Sequence, residues 1–75
     1  MTITEFVARF AEEFDDTPET MFTPSTDFKS LDEWNSLTAL SVLAMVDDEL
    51  DKRITGADLR NVTTIENLYN LIQTK

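Results

Sequence analysis

The scarcity of glycine and proline is the strongest constraint on what this chain can fold into. Its 75 residues include one glycine and two prolines, and no run of alternating β-branched residues occurs. Tight turns between strands draw on glycine and on proline at set positions, so a sheet built from hairpins is disfavoured. The sequence therefore predicts an all-α fold, with residues 1–75 forming one small domain.

An apolar stripe marks the first helix. Apolar side chains recur every three or four residues, at Ile3, Phe6, Val7, Phe10, Ala11 and Phe14. This spacing places them on one face of a helix, which is typical of a core and not of a cofactor site. Thr2 and Glu5 have the spacing of a capping box at its start. Acidic residues from Glu12 onward oppose the helix dipole, so we expect fraying after about Phe14.

The segment from Asp15 to Asn35 is too long for an ordinary loop. Turn-forming residues are frequent in it, but large apolar residues occur at intervals, namely Met21, Phe22, Phe28, Leu31 and Trp34. Such residues usually anchor a loop to a core, so we expect an ordered strap across a helix bundle. Thr17-Pro18 predicts one helical turn within the strap, and Ser30 with Glu33 predicts a cap for another.

The second helix is predicted from about Ser36 to Asp51. A projection at 100° per residue gathers one set of apolar residues on the buried side: Ala39, Leu40, Val42, Leu43, Val46 and Leu50. Leu37 and Met45 are then expected to face outward, together with Thr38, Ser41, Ala44, Asp48 and Asp51. Two exposed apolar residues beside acidic groups indicate a docking patch.

Two further helices complete the predicted bundle. Thr55 caps a short third helix over residues 56–60, and Thr63 with Glu66 forms a capping box for the last helix. The buried stripe of that helix is Ile65, Leu68, Tyr69, Leu71 and Ile72. The prediction is a four-helix bundle with three longer helices, a short third helix and a long first loop.

The charge of the chain limits the classes of partner. Six basic against fifteen acidic residues give a net charge of −9, and no basic residue occurs from Leu31 through Asp51. Nucleic acid and anionic membranes are therefore disfavoured, and partners with basic surface patches are favoured. We expect a monomer because the like charge is high. No long apolar run and no signal-peptide pattern occurs, so no membrane insertion and a cytoplasmic location are expected.

The residue inventory argues against an enzyme. The absence of His and Cys excludes nucleophilic arrangements that pair Ser or Cys with His. The acidic run from Asp47 to Asp51 lacks the central glycine of a calcium-binding loop, so no metal site is predicted. Ser36, at the start of the second helix, is either an ordinary residue of the helix cap or an exposed site for a phosphate-linked group.

One stretch of the sequence resembles the acyl and peptidyl carrier proteins. It runs from Asp27-Phe28 through Leu31-Asp32-Glu33-Trp34-Asn35-Ser36-Leu37 to Asp47-Asp48-Glu49-Leu50. In that family, the serine of a (D/H/N)-S-(L/I) motif receives a 4′-phosphopantetheine arm from coenzyme A. The resemblance covers nearly the whole chain and implies that Ser36 is the attachment site. It implies a non-catalytic carrier that holds an acyl or aminoacyl group as a thioester and delivers it between enzymes.

The resemblance also implies a partner-binding face and its partners. The residues assigned to that face are Asn35, Leu37, Thr38, Ser41, Met45, Asp47 and Asp48. The expected partners are a phosphopantetheinyl transferase, an acyl- or aminoacyl-loading ligase, and a downstream synthase or transferase with a basic patch. Fatty acyl, malonyl, hydroxyacyl and aminoacyl cargoes all stay open.

Departures from the family pattern bear on the pathway. Asn35 stands where acyl carriers usually have Asp, and Thr38 and Ser41 stand where general fatty-acid carriers commonly have acids. We therefore expect a dedicated pathway and not bulk fatty-acid synthesis. The alternative is a degenerate carrier fold that is never modified and acts as an acidic protein-interaction module. An acidic decoy for a nucleic-acid-binding protein is a third reading, supported by charge alone.

Overall fold

The computed structural model describes all residues, 1–75, and its regular secondary structure is helical, apart from one isolated bridge between Asp27 and Thr64. Its four helices are α1 (Ile3–Ala11), α2 (Ser36–Leu50), α3 (Gly56–Asn61) and α4 (Ile65–Gln73). Two single 3₁₀ turns, Glu19–Met21 and Phe28–Ser30, lie between α1 and α2. The predicted order of three longer helices, one short third helix and a long first connection is confirmed. None of the helices has both the length and the apolar character needed to cross a membrane.

Side-chain caps begin all four helices. The predicted box of Thr2 and Glu5 is confirmed, and so is the cap of α3 at Thr55. The box predicted for α4 is wrong by one residue, because Thr64 and not Thr63 is the cap. Thr64 Oγ1 accepts from the Asn67 amide at 3.0 Å, and Asn67 Oδ1 accepts from the Thr64 amide at 3.3 Å. Two adjacent threonines could act as the cap, and the side-chain oxygen of Asn67 takes the role predicted for Glu66.

Helix α1 ends earlier than expected, at Ala11, and the acidic residues after it lie in a turn. Phe14 is nevertheless buried, because its ring packs against Phe22 of the strap with centroids 5.0 Å apart. On its other flank, α1 packs against α4, where the Phe6 and Tyr69 rings lie 5.5 Å apart. The aromatic stripe is therefore core, as predicted.

The long connection is an ordered strap, as predicted, although its internal caps differ. Phe22 and Phe28 are buried and Leu31 and Trp34 pack partly against the core, whereas Met21 is exposed. The cap predicted from Ser30 and Glu33 is wrong. The turn that forms is Phe28–Ser30, and Asp27 caps it through a hydrogen bond from the Lys29 amide to Asp27 Oδ1 at 3.1 Å. The strap also binds the start of α4, since the amides of Ile65 and Glu66 donate to carbonyl oxygens of Thr26 and Pro24.

The rotation predicted for α2 is partly wrong. Met45 and Thr38, expected outside, are only 4% and 8% exposed, and Leu40, expected inside, is 61% exposed. The buried stripe runs at i, i+4, i+7 and i+8, through Thr38, Val42, Met45 and Val46. Apolar residues occur on nearly every side of α2, so no single face dominates a projection. Leu37 is exposed, as predicted, at 76%.

Truncation of Phe10 tests the core assignment. Phe10 is fully buried, so Phe10→Ala should lower the free energy of unfolding by about 3–5 kcal/mol. Leu37→Ala, at an exposed position, should change it by less than about 0.5 kcal/mol. Urea unfolding followed by circular dichroism gives both values. Equal effects of the two changes would contradict the assignment.

Candidate functional site

Ser36 is the first residue of α2, and Asn35 sets its position. Asn35 has an extended backbone, and its Oδ1 accepts from the amide of Thr38 at 3.0 Å and from the Thr38 hydroxyl at 3.3 Å. Ser36 itself is exposed, and its hydroxyl has no hydrogen-bond partner within the chain. The backbone amides of Ser36 and Leu37 also lack partners, whereas those of Thr38 and Ala39 donate to the side-chain and backbone oxygens of Asn35. An exposed hydroxyl therefore lies beside two free N–H groups that favour negative charge.

Thr38 belongs to the support of the site and not to its surface. Its hydroxyl donates to the carbonyl oxygen of Glu33 at 2.9 Å, which joins α2 to the end of the strap. The expectation that Thr38 faces outward is therefore wrong. A threonine fits this position better than an acid would, because the side chain is buried and its hydroxyl donates to a backbone carbonyl.

Glu33 joins the end of the strap to its beginning, just after α1. Its carboxylate accepts from the amides of Asp15 at 2.7 Å and Asp16 at 3.0 Å, and from the Thr17 hydroxyl at 2.7 Å. The Thr17 hydroxyl, followed by the backbone amides, lowers the pKa of Glu33 below its ordinary value of 4.5. This contact fixes the chain two residues before Asn35. The sequence gives no sign of it, because the partners are far apart along the chain.

A cleft of about 540 Å³ lies beside Ser36, between the strap, α2 and α3. Trp34, Leu40 and Leu43 contribute to its walls, and so do two basic residues, Lys29 and Arg60. The Lys29 ammonium donates to the carbonyl oxygens of Leu59 at 3.0 Å and Arg60 at 3.1 Å. Lys29, which lines the cleft beside Ser36, therefore has a structural role at the end of α3.

The exposed surface of α2 changes in character along the helix. Asn35, Leu37 and Ser41 are exposed near Ser36, and Asp47 and Asp48 are exposed near the other end. Their side chains form a strip on the exposed side of α2, with Leu37 as its apolar group near the amino end and the acids near the carboxyl end. Sequence reasoning missed Leu40, which extends the apolar end of this strip. Met45 is buried and is not available for direct contact, which corrects the outward position predicted for it.

Comparison with known families assigns the chain. The model of the family described as "Phosphopantetheine attachment site" matches residues 4–72. The chain belongs to this family. Searches of curated proteins and of solved structures found no match. Members of the family attach 4′-phosphopantetheine covalently, so the cofactor of this carrier is 4′-phosphopantetheine, and the predicted resemblance is confirmed.

The residues at the start of α2 fit such a group. An attached phosphodiester requires an accessible hydroxyl and an environment that tolerates negative charge. Ser36 offers the accessible hydroxyl, and the free amides of α2 offer an environment that tolerates negative charge.

No cluster of His, Cys, Asp or Glu has the arrangement of a metal site.

The hydrogen bonds of Glu33 predict how stability depends on pH. Because the folded-state pKa is lowered, the ionised carboxylate stabilises the fold fully above pH 4.5, and this contribution is lost as the pH falls through the lowered pKa. Glu33→Gln should therefore destabilise the protein at neutral pH, and the difference from the unsubstituted chain should shrink below pH 4.5. Urea unfolding over this pH range measures it.

Glu19→Gln is the matched control, because Glu19 is exposed and its carboxylate accepts no hydrogen bond. It should leave the unfolding midpoint nearly unchanged across the range. A loss of stability in Glu33→Gln that is equally large at every pH would show that ionisation of Glu33 does not matter.

Proposed function

We propose that Ser36 carries the 4′-phosphopantetheine arm and that residues 1–75 act as one discrete, monomeric, cytoplasmic carrier domain. In this function the chain holds an acyl or aminoacyl group as a thioester and delivers it between partner enzymes of a dedicated pathway. The observation that carries the proposal is the exposed, unbonded hydroxyl of Ser36 at the first residue of α2, within the matched region. The exposed acids favour partners with basic patches.

The chain's own residues position the acceptor and do not activate it. Asn35 fixes the first turn of α2 and leaves Ser36 Oγ accessible. No side chain accepts a hydrogen bond from this hydroxyl, so the base that removes its proton comes from the phosphopantetheinyl transferase. The bound arm supplies the thiol that forms the thioester. The free amides of Ser36 and Leu37 favour the phosphodiester charge at Oγ.

The exposed strip of α2 is the proposed docking surface for the transferase, the loading ligase and the downstream synthase or transferase. It consists of Asn35, Leu37, Leu40, Ser41, Asp47 and Asp48. Its apolar end surrounds Ser36, where a partner's active site must close. Its acidic end lies where basic residues would steer the approach. Thr38 and Met45 support this surface from beneath.

Intact mass measures the modification directly. Incubation with coenzyme A, magnesium and a broad-specificity phosphopantetheinyl transferase should add one phosphopantetheine to the chain. Ser36→Ala should abolish the gain, because the accepting hydroxyl is removed. Ser25→Ala should keep it, because Ser25 is an exposed serine on the strap, outside the proposed docking surface.

Two outcomes would contradict the assignment. A gain of mass in Ser36→Ala would place the arm on another residue. No gain in any variant, with several transferases, would favour the acidic interaction module that is never modified. The feature that favours that module is Asn35, which caps α2 as Asp would but lacks its charge.

The docking surface predicts a kinetic effect without a structural one. Leu37→Ala should lower kcat/KM of the transferase by about fivefold or more, because truncation of an apolar contact at the centre of an interface often costs over about 1 kcal/mol. Asp47→Asn with Asp48→Asn should lower it mainly at low salt. Initial rates over a salt series measure both effects.

Met21→Ala is the matched control, since Met21 is exposed and apolar but lies on the strap. It should leave kcat/KM unchanged. Equal losses for Met21→Ala and Leu37→Ala would mean that α2 is not the docking surface.

A further inference from the structure

The cleft beside Ser36 differs in charge from the rest of the chain. The sequence contains fifteen acidic and six basic residues. Yet two basic residues, Lys29 and Arg60, line the cleft and no acidic residue does. The walls of this cleft are therefore positive in a protein whose net charge is −9.

Arg60 is the free cation of the cleft. Four of the six basic side chains form ion pairs or hydrogen bonds with the chain, namely Arg9, Lys29, Lys52 and Lys75. Arg60 and Arg53 do neither, and only Arg60 lines the cleft. The Arg60 guanidinium folds back along α3, so that a methyl group at Gly56 would lie 3.8 Å from its Nη1. Gly56 also lines the cleft, and the Arg60 donors have no partner within the chain, so they are available to an acceptor there.

The remainder of the lining is largely apolar. Leu40, Leu43 and Leu59 supply aliphatic surface, and Trp34 adds a ring near Ser36. An occupant that complements this surface combines an apolar stretch with a negative group. A group tethered at Ser36 is held at high effective concentration beside the cleft, so even a weak preference becomes measurable.

On the basis of the function proposed above, we propose that Arg60, in the wall of this cleft, selects acyl cargo that carries a carboxylate. Guanidinium binds carboxylate through paired N–H donors, which gives both attraction and orientation. An aminoacyl cargo carries an ammonium group, which Lys29 and Arg60 repel. The cleft thus favours carboxylated over aminoacyl and plain alkyl cargo.

A series of three cargoes with three carbons each tests this selection. Propionyl, malonyl and β-alanyl groups are loaded from their coenzyme A thioesters, and intact mass confirms each product and the cargo-free arm. The ¹H–¹⁵N resonances of Arg60 Nε, the Gly56 amide and the Trp34 indole are then compared. Malonyl should shift them relative to the cargo-free arm, whereas propionyl and β-alanyl should not.

Arg60→Gln and Arg53→Gln form a matched pair of variants. Arg60→Gln should abolish the malonyl-specific shifts and speed hydroxylamine cleavage of the malonyl thioester by about two- to fivefold, the range of an exposed ion pair. Cleavage of the propionyl thioester should not change. Arg53→Gln should behave as the unsubstituted chain, because Arg53 lies outside the cleft.

Each contrary outcome has a separate signature. If the cargo-free arm and the malonyl-loaded arm shift the Arg60 resonance equally from its position in the unmodified chain, Arg60 binds the phosphodiester and the proposal is wrong. If propionyl produces the same shifts, the cleft selects by apolar contact alone and the proposal is wrong. A failure of the proposed function appears earlier, as an absence of loading in the mass spectrum, and would also overturn this inference.

Discussion

Burial of Phe28 is the contact on which the arrangement of the site depends. This residue of the strap is fully buried, and its ring meets Phe10 of α1 at 5.2 Å and Trp34 at 4.9 Å, both in edge-on geometry. The 3₁₀ turns of the strap are single turns that would not persist alone. The aromatic contacts therefore hold the strap against the bundle. Since α2 begins two residues after Trp34, they also set the position of Ser36.

Hydrogen bonds then orient the end of the strap and the start of α2, which the aromatic contacts hold against the bundle. Glu33 binds the turn after α1, Thr38 binds the Glu33 carbonyl, and Asn35 binds Thr38. These contacts form a chain of polar links that ends one residue before Ser36. Such links contribute modest net energy, but they fix orientation in a way that apolar packing alone does not. Asn35 caps α2 with the same kind of side-chain oxygen that Asp would use. The presence of Asn instead of Asp therefore changes the charge at this position and not the geometry of the cap.

Local patterns predicted most of this fold, and long-range contacts account for what they missed. The stripe of α1 and the boxes at Thr2 and Thr55 depend on neighbours three or four residues apart, so the sequence shows them directly. The rotation of α2 depends on which of its apolar residues enter the shared core, which local spacing does not show, so the sides predicted for Met45 and Leu40 are wrong. The position of Ser36 was predicted from a motif. The partners of Glu33 and the cleft at Arg60 exist only after α1, α3 and the strap have packed.

Charges of opposite sign occur at two places around α2, with acids on its exposed side and basic residues in the cleft that it forms with the strap and α3. The acids at the end of α2 are exposed, and in physiological salt their field decays within about 8 Å, so they act on proteins that approach that surface. Lys29 and Arg60 are the charged residues that line the cleft, so they are the charges closest to a group bound there. A net charge of −9 therefore does not repel an anionic cargo once the cargo is in the cleft. In the function proposed here, the exposed acids attract basic enzymes and Arg60 retains a carboxylated cargo, because each interaction is decided by the charges closest to it.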